Sequence, residues 1–213
     1  FPRLARIPVI LTIRRLLDGG TFRGGEGSRI TLFARGLAFA DSDPAHNFAY
    51  IDLEADMEVP SLEEAAQAFN IGIIRSFHSI KGPIRDIIVK AKEIRRTDEE
   101  IVKIAYKANT LEDVTALFRQ APKIEGPSTL IAMSKYGIPS RILSSRLHSS
   151  FVYTMPQEYM TKAQMEQEFL DPITLQTVYR FRSIDDETKI YGVAGADTSK
   201  SLSPSIHNGG FVG

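Results

Sequence analysis

The chain has 213 residues, 43% hydrophobic and 24% charged, a balance that excludes fibrous and intrinsically disordered classes. Lysine plus arginine equals aspartate plus glutamate at 26 each, so no net field draws the chain to nucleic acid or an acidic membrane, although a local anion site stays open. The absence of cysteine excludes disulfides, thiolate chemistry and cysteine-ligated metal, and the four histidines, none in a metal-ligand spacing, argue against a metal site.

Phe1 to Arg6 lead straight into a strand-like run with neither an initiator methionine nor a signal-peptide pattern, so the expectation is a chain that begins inside a longer polypeptide. No apolar stretch approaches the roughly 18 residues of a membrane helix, and a cytoplasmic protein is expected. The first strand is Ile7–Arg14, followed by an Asp18-Gly19-Gly20 turn and helical tendency from Ile30 to Ala40. Phe48–Glu54 reads as the second strand. Ser61 and Glu64 then look like the N-cap and capping-box pair of a helix.

Gly72–His78 is the next strand, and Pro83 to Arg96 carries Ile84, Ile87, Ile88, Ala91 and Ile94 at helical spacing. Glu100–Tyr106 follows as a strand, Thr110 and Asp113 as a second capping box for a helix through Phe118, and Thr129–Ser134 as a strand. Ser140 to Leu147 predicts a short helix, and Ser149 to Tyr153 a last strand. Nearly continuous apolar strands alternating with helices are the pattern of a buried parallel sheet, either open or closed into a barrel. Arg14, Glu54, His78, Tyr106 and Ser134 fall at or near strand C-termini, the edge where such folds assemble active sites.

Lys103 stands in the middle of Ile101-Val102-Lys103-Ile104-Ala105, where an unpaired charge is out of place. Burial lowers an amine's pKa and exposes the free base that attacks a carbonyl. A lysine snorkelling past the sheet edge, or paired with a carboxylate, satisfies the same pattern. Imine chemistry also needs a proton shuttle. His78, at the end of another strand, is the suitable residue type, set against a purely structural histidine.

Five ordered segments together resemble type I 3-dehydroquinate dehydratase: Pro8–Arg14 with its acidic-Gly-Gly turn, Tyr50–Glu54, Ser76–His78, Val102–Ala105, and Ala132-Met133-Ser134-Lys135-Tyr136-Gly137-Ile138-Pro139-Ser140-Arg141. The resemblance spans roughly residues 6 to 180. It implies an α/β fold, a (β/α)8 TIM barrel whose first two strands lie outside this chain, filling residues 1–182. It also implies a lyase of the shikimate pathway that dehydrates 3-dehydroquinate to 3-dehydroshikimate. Lys103 then matches the Schiff-base lysine, His78 the general acid/base and Asp18 the acidic residue that orients the histidine, where many relatives have glutamate. Arg14 and Arg141 match substrate-binding arginines, Tyr153 an aromatic pocket wall, and Gln164 the glutamine of a closing loop that here reads Met160-Thr161-Lys162-Ala163-Gln164. No cofactor is expected for the dehydration, because the protonated imine is itself the electron sink. The shortened Asp18 and altered lid keep a second reading open: a non-catalytic homologue acting as a metabolite-binding or structural partner.

Tyr191-Gly192-Val193-Ala194-Gly195 reads as a new strand and turn, and Ser201 to Asn208 resembles the N-terminal signature of shikimate dehydrogenase, with Ser201 and Ser203 matching its substrate-binding serines. That resemblance implies a second domain beginning over residues 190–213: the first strand of an α/β dehydrogenase fused to the dehydratase, an oxidoreductase using NADP in its remaining portion. A homo-oligomer is compatible with this organisation. Nucleic-acid and membrane partners are not expected.

Overall fold

A computed structural model describes residues 7–41, 43–161, 169–193, 195, 198 and 200–210. Among them are five strands, β1 (Ile10–Thr12), β2 (Tyr50–Glu54), β3 (Gly72–Ser79), β4 (Ile101–Lys107) and β5 (Ser128–Met133). All pair in parallel, in the order β1-β2-β3-β4-β5. Helices α1 (Glu26–Ala38), α2 (Pro60–Ala68), α3 (Ile87–Ile94) and α4 (Leu111–Gln120) form the four crossovers, and α5 (Ile138–Ile142) follows β5. Sequential parallel neighbours joined by helices are the repeating unit of a barrel wall.

Strand alternation divides the side chains. Ile51, Leu53 and Ile73 turn outward and bury against Phe33 and Leu37 of α1 and Leu62 and Ala66 of α2. Val102, Ile104, Tyr106, Leu130 and Ala132 do the same against α3 and α4 through Ile87, Ala91, Val114 and Leu117. The intervening positions Asp52, Ser76, Lys103 and Thr129 are left for the opposite face.

Several boundaries depart from the sequence reading. Pro60 is the first residue of α2 and Val59 its cap, so Ser61 lies inside the helix and caps nothing. Proline lacks the N–H that a cap would satisfy and its fixed φ suits the first turn. α3 starts only at Ile87, because the Asp86 carboxylate accepts from Val89 N at 2.9 Å. Thr110 and Asp113 do form the reciprocal capping box of α4.

The expected strand Ser149–Tyr153 is reduced to an isolated parallel bridge between Ser128 and Ser149. The Ser149 hydroxyl, rather than a backbone carbonyl, receives Leu130 N at 3.1 Å, and the ladder stops there. The chain then crosses the polar face: the Phe151 ring meets Tyr50 edge-on, centroids 5.3 Å apart. Among the described residues the sheet is therefore open, with β1 and β5 at its edges.

After α6 (Pro172–Thr177), the tail also differs from expectation. Tyr191 to Val193 are irregular and exposed with no strand beside them, so no dehydrogenase strand is present among the described residues, and Ala194 lies outside them. The regular element is a helix, α7 (Ser203–Gly210), with Pro204 in its first turn. The Asn208 amide donates to Val178 O at 3.0 Å.

Candidate active site

Because Val102 and Ile104 are committed to the helix layer, Lys103 must point to the other side of β4. Its Nζ lies 3.0 Å from Asp52 Oδ2 on β2 and 4.2 Å from the centroid of the Tyr153 ring. The amine thus reaches across β3. On β3, Ser76 stands in register with Lys103 and its hydroxyl accepts from Arg14 Nη1 at 2.9 Å. Arg14 enters from the end of β1, its Nη2 2.6 Å from Asp52 and its Nη1 2.8 Å from Glu54. The other Glu54 oxygen accepts from Arg29, a fully buried guanidinium of α1.

These contacts make one chain of charge, Arg29 to Glu54 to Arg14 to Asp52 to Lys103. Three cations share two buried carboxylates, with Glu26 half-exposed 3.6 Å from Arg29. A neutral lysine would balance the buried groups. Burial and the neighbouring Arg14 charge push the Lys103 amine below its ordinary range, and Asp52 only partly restores it. Burial alone would raise the Asp52 carboxyl, but Lys103 and Arg14 together outweigh it and hold it at about 2. His78, two residues beyond Ser76 on the same face, is pushed down to about 3 by burial and then by the positive charges of Arg14 and Lys103. It is therefore a neutral imidazole at physiological pH, able to accept a proton.

Lys103, His78, Arg14 and Tyr153 accordingly share one polar face. Asp18 does not join His78. Its carboxylate is held by Arg15 Nε at 2.6 Å, while His78 Nδ1 is enclosed without a hydrogen-bond partner among the described residues. Arg15 also forks onto Asp56 at 2.9 and 3.0 Å, which fixes the guanidinium, and its charge-assisted Nε bond to Asp18 is stronger than one from a neutral imidazole. The turn itself is tight: Gly20 passes so close to the Arg14 carbonyl that a Cβ would sit 2.2 Å from its oxygen.

Arg141 is brought back to β5 by a similar turn. Ser134 takes a positive φ of 81°, its hydroxyl donates to Ala108 O at 2.6 Å, and a Cβ on Gly137 would lie 1.9 Å from Ala132 O. The buried Arg141 Nη1 donates to Ala132 O at 3.1 Å, and its guanidinium lies 5.6 Å from the Phe169 ring centroid. Gln164 lies outside the described residues. Ser201 and Ser203 are at the start of α7, where the Ser201 hydroxyl accepts from Ser203 N at 3.3 Å.

Tyr106 lies next to the end of β4 but faces away from the site. Three residues from Lys103, it has the opposite parity and its hydroxyl donates to Asp113 O at 2.7 Å within the helix layer. The residues missed from sequence are Asp52, Ser76, Arg29 and Thr129. Asp52 had the same signal as Lys103, a charge inside the apolar strand Tyr50-Ile51-Asp52-Leu53-Glu54; buried Arg29 on a helix had none.

Comparison with known proteins places the chain among relatives. A family model described as Type I 3-dehydroquinase matches residues 1–186. The chain is 26% identical over 209 residues to a chloroplastic bifunctional 3-dehydroquinate dehydratase/shikimate dehydrogenase of Arabidopsis thaliana, covering 96% of this chain and 33% of that protein. It is 34% identical over 145 residues to a 3-dehydroquinate dehydratase of Archaeoglobus fulgidus, covering 68% and 67% respectively. The chain thus spans about a third of the plant relative and two thirds of the archaeal one. Among solved structures, a type I 3-dehydroquinate dehydratase from Clostridium difficile, carrying covalently modified comenic acid, superposes with a TM-score of 0.67 at 18% identity, covering 84% of this chain and 70% of that one. The Enterococcus faecalis enzyme superposes with a TM-score of 0.61 at 19% identity, covering 69% and 63%.

Proposed function

The chain belongs to the type I 3-dehydroquinase family, and from that premise we propose that it forms most of a (β/α)8 barrel that dehydrates 3-dehydroquinate to 3-dehydroshikimate through an imine on Lys103. The observation that carries the reading is the buried amine, 3.0 Å from Asp52 and lowered toward its free base by burial. That amine adds to the substrate ketone, and loss of water gives the imine. The protonated imine withdraws electrons from the adjacent C–H bond, neutral His78 accepts that proton, and the electron pair expels the substrate hydroxyl as water with His78 returning the proton. Hydrolysis then releases the product and restores Lys103. Asp52, paired with both Lys103 and Arg14, holds the amine on the reacting face and stabilises the cationic imine.

Arg141 is assigned to the substrate carboxylate, whose geometry suits a guanidinium fork, Arg14 to the substrate site beside Asp52, and Tyr153 to the wall under the amine. Gln164 is assigned to the closing loop. Asp18, tied to Arg15, keeps the position of a histidine-orienting acid without touching the histidine. This arrangement favours one alternative, a non-catalytic homologue that binds the metabolite as a structural partner.

Borohydride reduction of the intact protein with 3-dehydroquinate decides between them. One reduced ligand added at Lys103, and turnover lost in K103A, are the expected results. An intact, folded sample that gains no mass would overturn the covalent mechanism, and measurable turnover abolished by K103A would exclude the non-catalytic reading.

For residues 190–213 the same proposal extends to the opening of a shikimate dehydrogenase unit, with Ser201 and Ser203 as its substrate-binding serines. The alignment over 96% of this chain with a bifunctional plant protein supports it. NADP would serve only that oxidoreduction. A cytoplasmic location and a homo-oligomeric state belong to the same reading; no described helix is long and apolar enough to cross a membrane.

A further inference from the structure

We infer that the Tyr153 hydroxyl is a specificity-determining group that hydrogen-bonds an oxygen substituent of the substrate held at Lys103. The inference rests on the imine reading above. Tyr153 presents its ring face to the amine at 4.2 Å, a contact that phenylalanine would supply equally well. The hydroxyl adds nothing to that packing. It is enclosed and has no hydrogen-bond partner among the described residues, and an enclosed hydroxyl left unpaired costs free energy that a ligand can return.

The surroundings indicate what returns that cost. Among the described residues Asp52 Oδ1 and His78 Nδ1 are likewise enclosed without a partner, and so is the hydroxyl of Thr129, which stands beside Lys103 in the β4–β5 register. These four polar atoms, none bonded to another, come from residues of the face that carries the amine. An oxygen-rich ligand that enters among them can satisfy several at once; an apolar one leaves all of them stranded.

The amine lies over the ring face, whereas the hydroxyl projects from the ring edge. It therefore meets a substituent carried beside the reacting carbon and not the imine nitrogen itself. A group in that place discriminates between a hydroxylated keto acid and its deoxy counterpart, because a buried donor left unpaired penalises the analogue. It has no part in the bond-making at Lys103.

Y153F in the intact protein tests this, because it keeps the ring and removes only the oxygen. The expected result is a kcat/KM for 3-dehydroquinate lowered roughly 10- to 100-fold, carried mainly by KM. Borohydride trapping at saturating substrate should persist, and the Tm should be equal to or above that of the wild type. Unchanged KM would overturn the inference, as would a raised KM accompanied by a lower Tm, the signature of a structural hydroxyl. Absence of turnover and trapping in the wild type would instead overturn the imine reading, and the tyrosine's role with it.

Discussion

Two buried charge clusters lie on opposite sides of the same sheet, and they are built differently. On the helix-covered side, Arg75 of β3 pairs with Glu63 at 3.0 Å and Glu100 at 2.5 Å, and Arg96 shares Glu63 at 2.6 Å. Two cations meet two carboxylates, with exposed Glu58 3.9 Å from Arg96, and both cations are arginines, which do not release their protons in proteins. On the other side Arg14, Arg29 and Lys103 share Asp52 and Glu54, and one of the three cations is a lysine. The first cluster can only hold α2, β3 and the start of β4 together. Counted over its buried members, the second is one proton in excess, and the amine is the group able to give it up. A buried charge network becomes a candidate for chemistry when its composition lets one member change protonation state.

Among single substitutions, the largest expected effect that would separate the two is on stability. R75M strands Glu100 in the helix layer and should lower the unfolding free energy by about 3 kcal/mol, read by denaturant titration. The fraction of folded protein that reacts at Lys103 should stay unchanged. Loss of trapping in folded R75M would show that the two clusters are coupled.

Acid titration comes next. His78 has an ordinary pKa of 6.5 and one of about 3 in the folded protein, so between those values the unfolded chain binds a proton that the folded chain does not. Stability should therefore fall as pH drops from 6.5 toward 3, at up to about 1.4 kcal/mol per pH unit. Asp52, depressed to about 2, contributes stability above its ordinary pKa that is lost only as pH falls further, from about 4 to 2. H78F should flatten the slope between pH 6 and 4.5, and a slope that survives the substitution would assign it elsewhere.

The smallest effect concerns Arg15. Its positive charge adds to the depression of His78 and its side chain ties down Asp18. R15A should raise the His78 pKa by less than about one unit, measured by NMR titration of the imidazole. A downward shift would contradict the clamp's role in keeping Asp18 from the histidine.

Much of the wall was legible because it is periodic. The apolar runs around Ile51, Ile74, Val102 and Leu130 marked four strands, and the Thr110–Asp113 box marked the start of α4. Where local signals competed, the reading failed. Pro60 displaced Ser61 as the organiser of α2, Ser149 ended a strand with its own side chain, and Tyr191–Val193 are irregular where a strand was expected.

The site was legible in part for the same reason. Lys103 was conspicuous because a charge interrupts a strand, and Asp52 interrupts its strand in the same way. Arg29 could not be found so, since a charged residue every few positions is normal on a helix and only its burial against Glu54 sets it apart.

The sequence by itself determined that an amine stands inside an apolar strand and that, by the alternation of side chains, it must turn away from Val102 and Ile104. Which carboxylate meets it, 51 residues away across an intervening strand, was decided by the parallel register of β2, β3 and β4. The same holds for Asp18, a histidine partner by its place in the chain and an arginine partner in the fold. Periodicity is local and can be read along the chain, whereas the pairing of buried charges depends on distances that exist only once the strands are side by side.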